Sequence, residues 1–182
     1  MIKIKIKLYD GININELQLI GSGTQGKVYK IDSKKCIKIF KKKQSCKDET
    51  HTLLMAQTNS HFPKIYSYGE KHIIREYIDG IELDKYLLSN CLTPDISSKL
   101  IELYEAMYSI GYARLDSALF HIFLTPLNDI KLIDTAKAMK KKSIYPNLII
   151  KGLDYLGCKE EFLNFVQTER PEIYARWLKY RK

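Results

Sequence analysis

A glycine-rich turn near the start of the chain has the spacing of a loop that binds phosphate. Gly21, Gly23, Gly26 and Val28 follow the pattern G-x-G-x-x-G-x-V within the stretch LIGSGTQGKVYKID. Glycine has no Cβ, so the backbone can approach phosphate oxygens closely. The pattern alone is a weak indication, because an ordinary hairpin turn can have the same composition. The interpretation therefore depends on charged residues farther along the chain.

A lysine and a glutamate that follow this turn could meet inside the protein. Lys38 lies in the strand-like run KCIKIF, where Ile37 and Ile39 point to the opposite face from it. A lysine that points inward needs a carboxylate or a phosphate as its partner. Asp48 and Glu49 are carboxylates of the predicted helix that follows, and Glu49 shares a helical face with Leu53, whereas Asp48 lies about 100° away. The alternative is that Lys38 is one more surface lysine in a lysine-rich strand.

Two aspartates in the second half of the chain could handle a proton and a metal ion. Asp116 lies in YARLDSALFHIFL, and Asp134 follows the apolar run of IKLIDTA eighteen residues later. Carboxylates can accept a proton from a hydroxyl group or bind a hard cation such as Mg²⁺. His121, five residues after Asp116, suits softer cations such as Mn²⁺ better. A structural, hydrogen-bonded role for His121 is an equal alternative.

The elements that would position these residues form a strand-rich first part and a helical second part. Alternating Ile and Lys predict a strand at the start of the chain. Short β-branched runs then predict three strands, one helix over QSCKDETHTLLMAQ and two more strands, up to about residue 78. Thr93 as N-cap, Pro94 and Gly111 delimit a long helix. A hairpin of FHIFL and IKLIDT and three short helices complete the prediction.

The order of these motifs, from about residue 16 to residue 136, resembles that of the protein-kinase-like superfamily. The chain is most similar to small bacterial eukaryotic-like Ser/Thr kinases of the compact, RIO-type kind that lacks a long activation segment. The resemblance implies an α+β, two-lobe fold, with a small antiparallel β-sheet N-lobe that carries one helix and a minimal helical C-lobe. We therefore expect one domain over residues 1–182, with the N-lobe at about 1–77, the hinge at about 76–80 and the C-lobe at about 81–182.

The resemblance also implies roles for individual residues in ATP-dependent phosphoryl transfer to protein Ser or Thr. It makes Asp116 the catalytic base and pairs Lys38 with Glu49, so that Lys38 can contact the ATP phosphates. It assigns Mg²⁺ to Asp134 and to His121, which stands where the family has an asparagine, with Mn²⁺ as the alternative ion. The residues expected around ATP are Ile20, Gly21, Ser22, Gly23, Thr24, Gly26, Val28, Lys38, Glu76, Ile78 and Phe123.

Some residues depart from the family pattern. Arg75 stands behind the expected adenine pocket, where an apolar or small polar side chain is usual. It could reach Glu49 or Asp134, unless the register of its strand is shifted by one residue. Thr-Ala replaces Phe-Gly after Asp134, and no A-P-E motif follows. These departures keep a second interpretation open, a nucleotide-binding pseudokinase that acts as an interaction module.

Charge and composition leave further alternatives for substrates and partners. The net charge of +9 favours an acidic protein target, and a nucleic acid is an alternative that rests on charge alone. A kinase of small molecules is a third interpretation, but the helical part spans only about a hundred residues, which leaves little room for a dedicated substrate pocket.

Hydropathy and cysteine content predict a cytoplasmic protein. No stretch approaches the roughly 20 apolar residues needed to cross a bilayer, and the N-terminus has no apolar signal region. The four cysteines form no C-x-x-C pair, so a zinc site is not expected, and reduced thiols fit the cytoplasm.

Overall fold

The computed structural model describes residues 8–181, so the strand predicted at the start of the chain lies almost wholly outside it. The described residues form an α+β fold of antiparallel sheets and six α-helices, which confirms the expected α+β class. The strands are β1 Leu8–Tyr9, β2 Ile12–Asn13, β3 Gln18–Ser22, β4 Gly26–Lys30, β5 Lys35–Phe40, β6 Ile65–Tyr68, β7 His72–Glu76, β8 Ile81–Glu82, β9 Ile122–Leu124 and β10 Ile130–Leu132. The helices are α1 Lys43–Met55, α2 Leu83–Leu87, α3 Pro94–Ile110, α4 Asn147–Tyr155, α5 Lys159–Glu169 and α6 Pro171–Tyr180.

A five-stranded antiparallel sheet, in the order β3-β4-β5-β7-β6, carries the first group of candidate residues. Lys38 of β5 lies opposite Val28 of β4 and Ile73 of β7, and Cys36 lies opposite Arg75. Directly opposed residues of antiparallel strands share a face, as do residues two apart on one strand. Lys38 and Arg75 therefore point to the same side of the sheet, as expected without a register shift.

Helix α1 packs on that side of the sheet through its apolar residues. Cys46 joins Phe40 and Ile73 in a small cluster, while Leu53 belongs to the main core. Glu49 lies between Cys46 and Leu53 on the same helical face and is completely buried. A carboxylate can be held at such a position only if a cation or hydrogen-bond donor compensates its charge.

The helical region that follows, α2 to α6, is organised around the long helix α3. Thr93 caps α3 by accepting the backbone N–H of Ile96 at 3.2 Å, and Gly111 ends it with a φ of 87°. Tyr104 of α3 packs edge-on against Trp177 of α6, with 5.3 Å between ring centroids. These contacts bury one continuous apolar core beneath the sheet, to which α1 also contributes Leu53.

A three-stranded sheet, in the order β10-β9-β8, positions the two aspartates. Asp116 precedes its β9–β10 hairpin and Asp134 follows it. The backbone N–H of Ile133 donates to the carbonyl of His121 at 2.9 Å, which draws the two ends of the hairpin together. Asp134 adopts a φ of 61°, in the left-handed region that non-glycine residues seldom occupy. Such a backbone conformation persists only where the surrounding structure stabilises it.

Among residues 8–181, no α-helix combines the length and the apolar character that crossing a bilayer requires.

Candidate functional site

A cavity of about 630 Å³ lies between the glycine-rich turn and the β9–β10 hairpin. This volume is within the range of small-molecule sites, roughly 300–1,000 Å³. The lining includes four basic side chains, Lys38, Arg75, Arg114 and Lys137, and three acidic ones. Ten of the fifteen predicted site residues line it, namely Gly21, Ser22, Gly23, Thr24, Gly26, Val28, Lys38, Asp116, His121 and Asp134.

Lys38 is compensated by two carboxylates at the floor of this cavity. Its Nζ lies 2.5 Å from Glu49 Oε2 and 3.8 Å from Asp134 Oδ2. Burial raises the pKa of Glu49, and the charge of Lys38 opposes that shift. Asp48, the neighbouring acid on α1, instead pairs with Lys140 at 2.5 Å. The buried lysine thus holds a fixed position between helix α1 and the end of β10.

The glycines of the turn meet different steric demands. A Cβ on Gly26 would lie 1.9 Å from the carbonyl oxygen of Ile39, so the β4–β5 pairing itself requires glycine there. A Cβ on Gly23 would have no heavy atom within 4 Å, and one on Gly21 would make only ordinary contact with Val28 at 3.7 Å. Gly21 and Gly23 therefore leave open space above the cavity that a ligand could approach.

Gln25, within the same turn, contacts the aspartate at the other side of the cavity. Its Nε2 donates to Asp134 Oδ1 at 2.8 Å and to Oδ2 at 2.9 Å. The side-chain oxygen of Gln25 is buried and has no hydrogen-bond partner within residues 8–181. The turn is consequently closed over Asp134, and a cation bound by this carboxylate would have to share or displace the amide.

Asp116 is buried and uses one of its two oxygens to support helix α4. Its Oδ1 accepts the backbone N–H of Leu148 at 2.9 Å and of Ile149 at 3.4 Å, where α4 has no side-chain cap of its own. Its Oδ2 lies 3.7 Å from Arg114 Nη2. Burial raises the pKa of Asp116, and the α4 amides and then Arg114 oppose the shift. One carboxylate oxygen thus remains for a ligand.

His121 and Asp134 are the two residues that could hold a cation. Nε2 of His121 lies 3.8 Å from Asp134 Oδ2, and burial lowers the pKa of His121, which favours the neutral imidazole that binds metals. No hydrogen bond fixes the His121 ring among the described residues, so a purely structural role finds no partner there. Those residues contain no group of three or more His, Cys, Asp or Glu side chains able to hold a metal. Further ligands would have to come from phosphate oxygens or water.

Arg75 lines the cavity, opposite Cys36 at the part of β5 that is farther from the glycine-rich turn, and is 4% exposed. Its Nη1 makes one long hydrogen bond, 3.4 Å, to the carbonyl of Glu76, and its buried Nε has no partner among residues 8–181. No carboxylate of the described residues lies within ion-pair distance of Arg75. It therefore reaches neither Glu49 nor Asp134, the two partners that the sequence suggested.

Five of the predicted residues do not line the cavity. Glu49 lies beneath it, paired with Lys38, and Ile20 is 38% exposed. Glu76 is engaged elsewhere: its carboxylate accepts from Lys131 at 2.7 Å, and its N–H donates to the carbonyl of Lys64 at 2.8 Å. The other two are Ile78 and Phe123.

Sequence reasoning missed Gln25 and did not foresee that Asp116 supports α4. Gln25 carried a weak signal, its place between two glycines of the turn, but its partner lies 109 residues away. Tyr112 was also missed; it lines the cavity and donates its hydroxyl to the carbonyl of Thr52 at 2.7 Å. No local pattern links these residues to their partners.

Comparison with models of known protein families finds no match, and comparison with curated proteins finds no significantly similar sequence.

Proposed function

We propose that this protein is a nucleoside-triphosphate-dependent phosphotransferase of the protein-kinase-like class, with Ser or Thr of a protein as the acceptor. The observation that carries the proposal is the convergence of Lys38, Asp116 and Asp134 on one cavity beneath the glycine-rich turn. These residues are 18 to 96 positions apart in sequence. Their combination of one cation and two carboxylates matches what phosphoryl transfer requires, charge compensation and a base.

The proposed chemistry assigns each residue one task. Lys38, held by Glu49, compensates the phosphate charge, and the open backbone at Gly23 allows the phosphates to approach. The oxygen of the acceptor hydroxyl attacks the terminal phosphorus, and the bond from that phosphorus to the bridging oxygen breaks, so that a nucleoside diphosphate leaves. The hydroxyl proton passes to Oδ2 of Asp116, because Oδ1 already accepts from the α4 amides.

A divalent cation fits this arrangement. Asp134 and His121 would hold it, and an imidazole beside a carboxylate favours Mn²⁺ over Mg²⁺. When bound, the ion would offset negative charge on the phosphates. Gln25 now donates to both oxygens of Asp134 and would have to share or release at least one of them.

The protein-kinase-like, two-lobe arrangement is part of the proposal. The five-stranded sheet with α1 would be the N-lobe and the helical region the C-lobe, joined near residues 76–80. The net charge of +9 supports an acidic protein as the phosphate acceptor.

A nucleotide-binding pseudokinase is the second candidate, and two contacts favour it. Gln25 occupies both oxygens of Asp134, and Asp116 is committed in part to helix α4. Both contacts lower the availability of groups that turnover needs, while nucleotide binding would remain.

One assay separates these candidates. Nucleoside diphosphate release would be measured with ATP and with GTP, in Mg²⁺ and in Mn²⁺ separately, with an acidic protein that contains Ser and Thr as the acceptor, for the wild type, Lys38→Ala and Asp116→Asn. We expect turnover by the wild type and a loss of roughly 100-fold or more in Asp116→Asn, as for removal of a general base. Asn keeps an oxygen that can accept from α4, so nucleotide binding should persist in Asp116→Asn.

Matched controls make the result specific. Asp129→Asn and Lys142→Ala change the same residue types at exposed positions outside the cavity and should turn over like the wild type. Full activity in Asp116→Asn would remove Asp116 from its role. Nucleotide binding without turnover in either metal would establish the pseudokinase, and absence of binding would end the proposal.

A further inference from the structure

We propose that the part of the cavity lined by Arg75 recognises guanine, so that the nucleotide used by this protein is GTP in preference to ATP. This inference rests on the proposed function and replaces the adenine nucleotide that the family resemblance implied. The residue that carries it is Arg75, whose buried Nε has no hydrogen-bond partner among the described residues.

The strand register places Arg75 at the end of the cavity opposite the phosphate-binding groups. Gly26, at the turn, lies opposite Phe40 of β5. Val28 lies opposite Lys38, which is two residues farther from the turn along β5. Arg75 lies opposite Cys36, two residues beyond Lys38 on the side away from the turn. At about 3.3 Å per residue, this row is roughly 7 Å from Lys38 and 13 Å from the turn. With the phosphates at the turn, the group that faces Arg75 is the base.

An arginine restricts which base can lie there. Its guanidinium donates hydrogen bonds and accepts none, and it stays charged at any physiological pH. An unpaired guanidinium that is 96% removed from solvent is costly, so a ligand that supplies acceptors to Nε and the terminal nitrogens is strongly favoured over one that does not.

Guanine and adenine differ at the edge of the purine that carries N7 and the group at position 6. Guanine presents two adjacent acceptors, O6 and N7, which the fork of an arginine can bind together. Adenine presents N7 as an acceptor but an amino group at position 6, so two donors would face each other. Glu76 offers adenine little compensation, because its N–H already donates to Lys64 and its carbonyl already accepts from Cys36 and Arg75.

The test compares purine nucleotides that differ at single atoms. Dissociation constants would be measured by calorimetry in Mn²⁺ for GTP, ITP, 7-deaza-GTP and ATP. ITP keeps O6 and N7 but lacks the 2-amino group, and 7-deaza-GTP lacks the N7 acceptor. We expect GTP and ITP to bind alike and roughly 5- to 150-fold more tightly than ATP, with 7-deaza-GTP in between.

Three variants link this preference to Arg75. Arg75→Met should remove the preference of GTP and ITP over ATP, and Arg75→Lys should lose most of it, because lysine keeps the charge but not the two-pronged fork. Arg181→Met, at an exposed arginine outside the cavity, should bind all four nucleotides like the wild type. The wild-type comparison among four nucleotides stands even if one variant does not fold.

The outcomes separate this inference from the proposed function. Binding of ATP as tightly as GTP, or a preference for GTP that ITP does not share, overturns the guanine assignment and leaves the phosphotransferase proposal intact. A preference that persists in Arg75→Met overturns it as well, because the base would then be recognised by other residues. If no nucleotide binds, the proposed function fails and the inference fails with it.

Discussion

Two buried cations on one face of the central sheet have opposite surroundings. Lys38 contacts Glu49 at 2.5 Å and Asp134 at 3.8 Å, whereas Arg75, two rows along the sheet, has no carboxylate of residues 8–181 within ion-pair distance. Both side chains are almost fully removed from solvent. The paired cation is explained by the fold, because α1 supplies its counter-charge. The unpaired one has no such counter-charge among these residues, and the proposed recognition of guanine rests on this difference.

The largest expected effect is the difference in the free energy of unfolding between a variant that lacks Lys38 and a variant that lacks Arg75. Lys38→Met leaves a fully buried Glu49 without its cation and should lower the free energy of unfolding by about 3–5 kcal/mol. Arg75→Met removes a buried charge that has no ion-pair partner among residues 8–181 and should leave stability unchanged or raise it. Urea denaturation of both variants at pH 8 measures the contrast.

The pH dependence of Lys38→Met gives a control for that result. Burial raises the pKa of Glu49, and without Lys38 only the smaller effect of the Arg75 charge opposes the shift. A carboxyl group with a raised folded-state pKa stabilises the fold when protonated, and this stabilisation is lost as pH rises through the folded pKa. The deficit of Lys38→Met should therefore shrink as pH falls through the raised pKa of Glu49 towards the ordinary glutamate range. Equal losses of unfolding free energy in Lys38→Met and Arg75→Met would show that the two cations contribute to stability in the same way.

Two glycines of the glycine-rich turn, Gly26 and Gly23, also differ in whether the fold itself requires them. The expected effect on stability is smaller here. Gly26→Ala places a Cβ 1.9 Å from the Ile39 carbonyl and should destabilise the fold by about 1–3 kcal/mol. Gly23→Ala meets no atom within 4 Å and should fold like the wild type, yet bind nucleotide more weakly. Thermal unfolding and nucleotide titration distinguish them. Unchanged nucleotide affinity in Gly23→Ala would show that the open space at Gly23 does not contribute to nucleotide binding.

The two carboxylate oxygens of Asp116 differ in the same way. One oxygen supports α4, and the other faces the cavity. Burial raises its pKa, so activity that needs the ionised form should fall as pH drops through a value above the ordinary aspartate range. Arg114 lowers this pKa, and Arg114→Met should move the acidic limb of kcat/KM to higher pH. Steady-state rates from pH 4.5 to 9 measure the shift. An acidic limb that stays in place would exclude Asp116 as the group observed.

Local sequence was sufficient for most of the elements and for the α+β class. The alternation in KCIKIF indicated β5, and Thr93, Pro94 and Gly111 delimited α3, because caps and side-chain periodicity are properties of neighbouring residues. The choice of Glu49 over Asp48 as the residue facing Lys38 followed from the family resemblance together with helical periodicity.

Only the tertiary structure decided how the site residues share their contacts. The Gln25–Asp134 contact, the support of α4 by Asp116 and the missing partner of Arg75 depend on which surfaces meet after the chain has folded. Contacts between residues more than a hundred positions apart produce no periodic pattern in the sequence, because their hydrogen bonds and ion pairs form between surfaces that meet only in the folded protein. The sequence alone therefore determined which groups are present and on which faces they lie, and packing determined which of them remain free for a ligand.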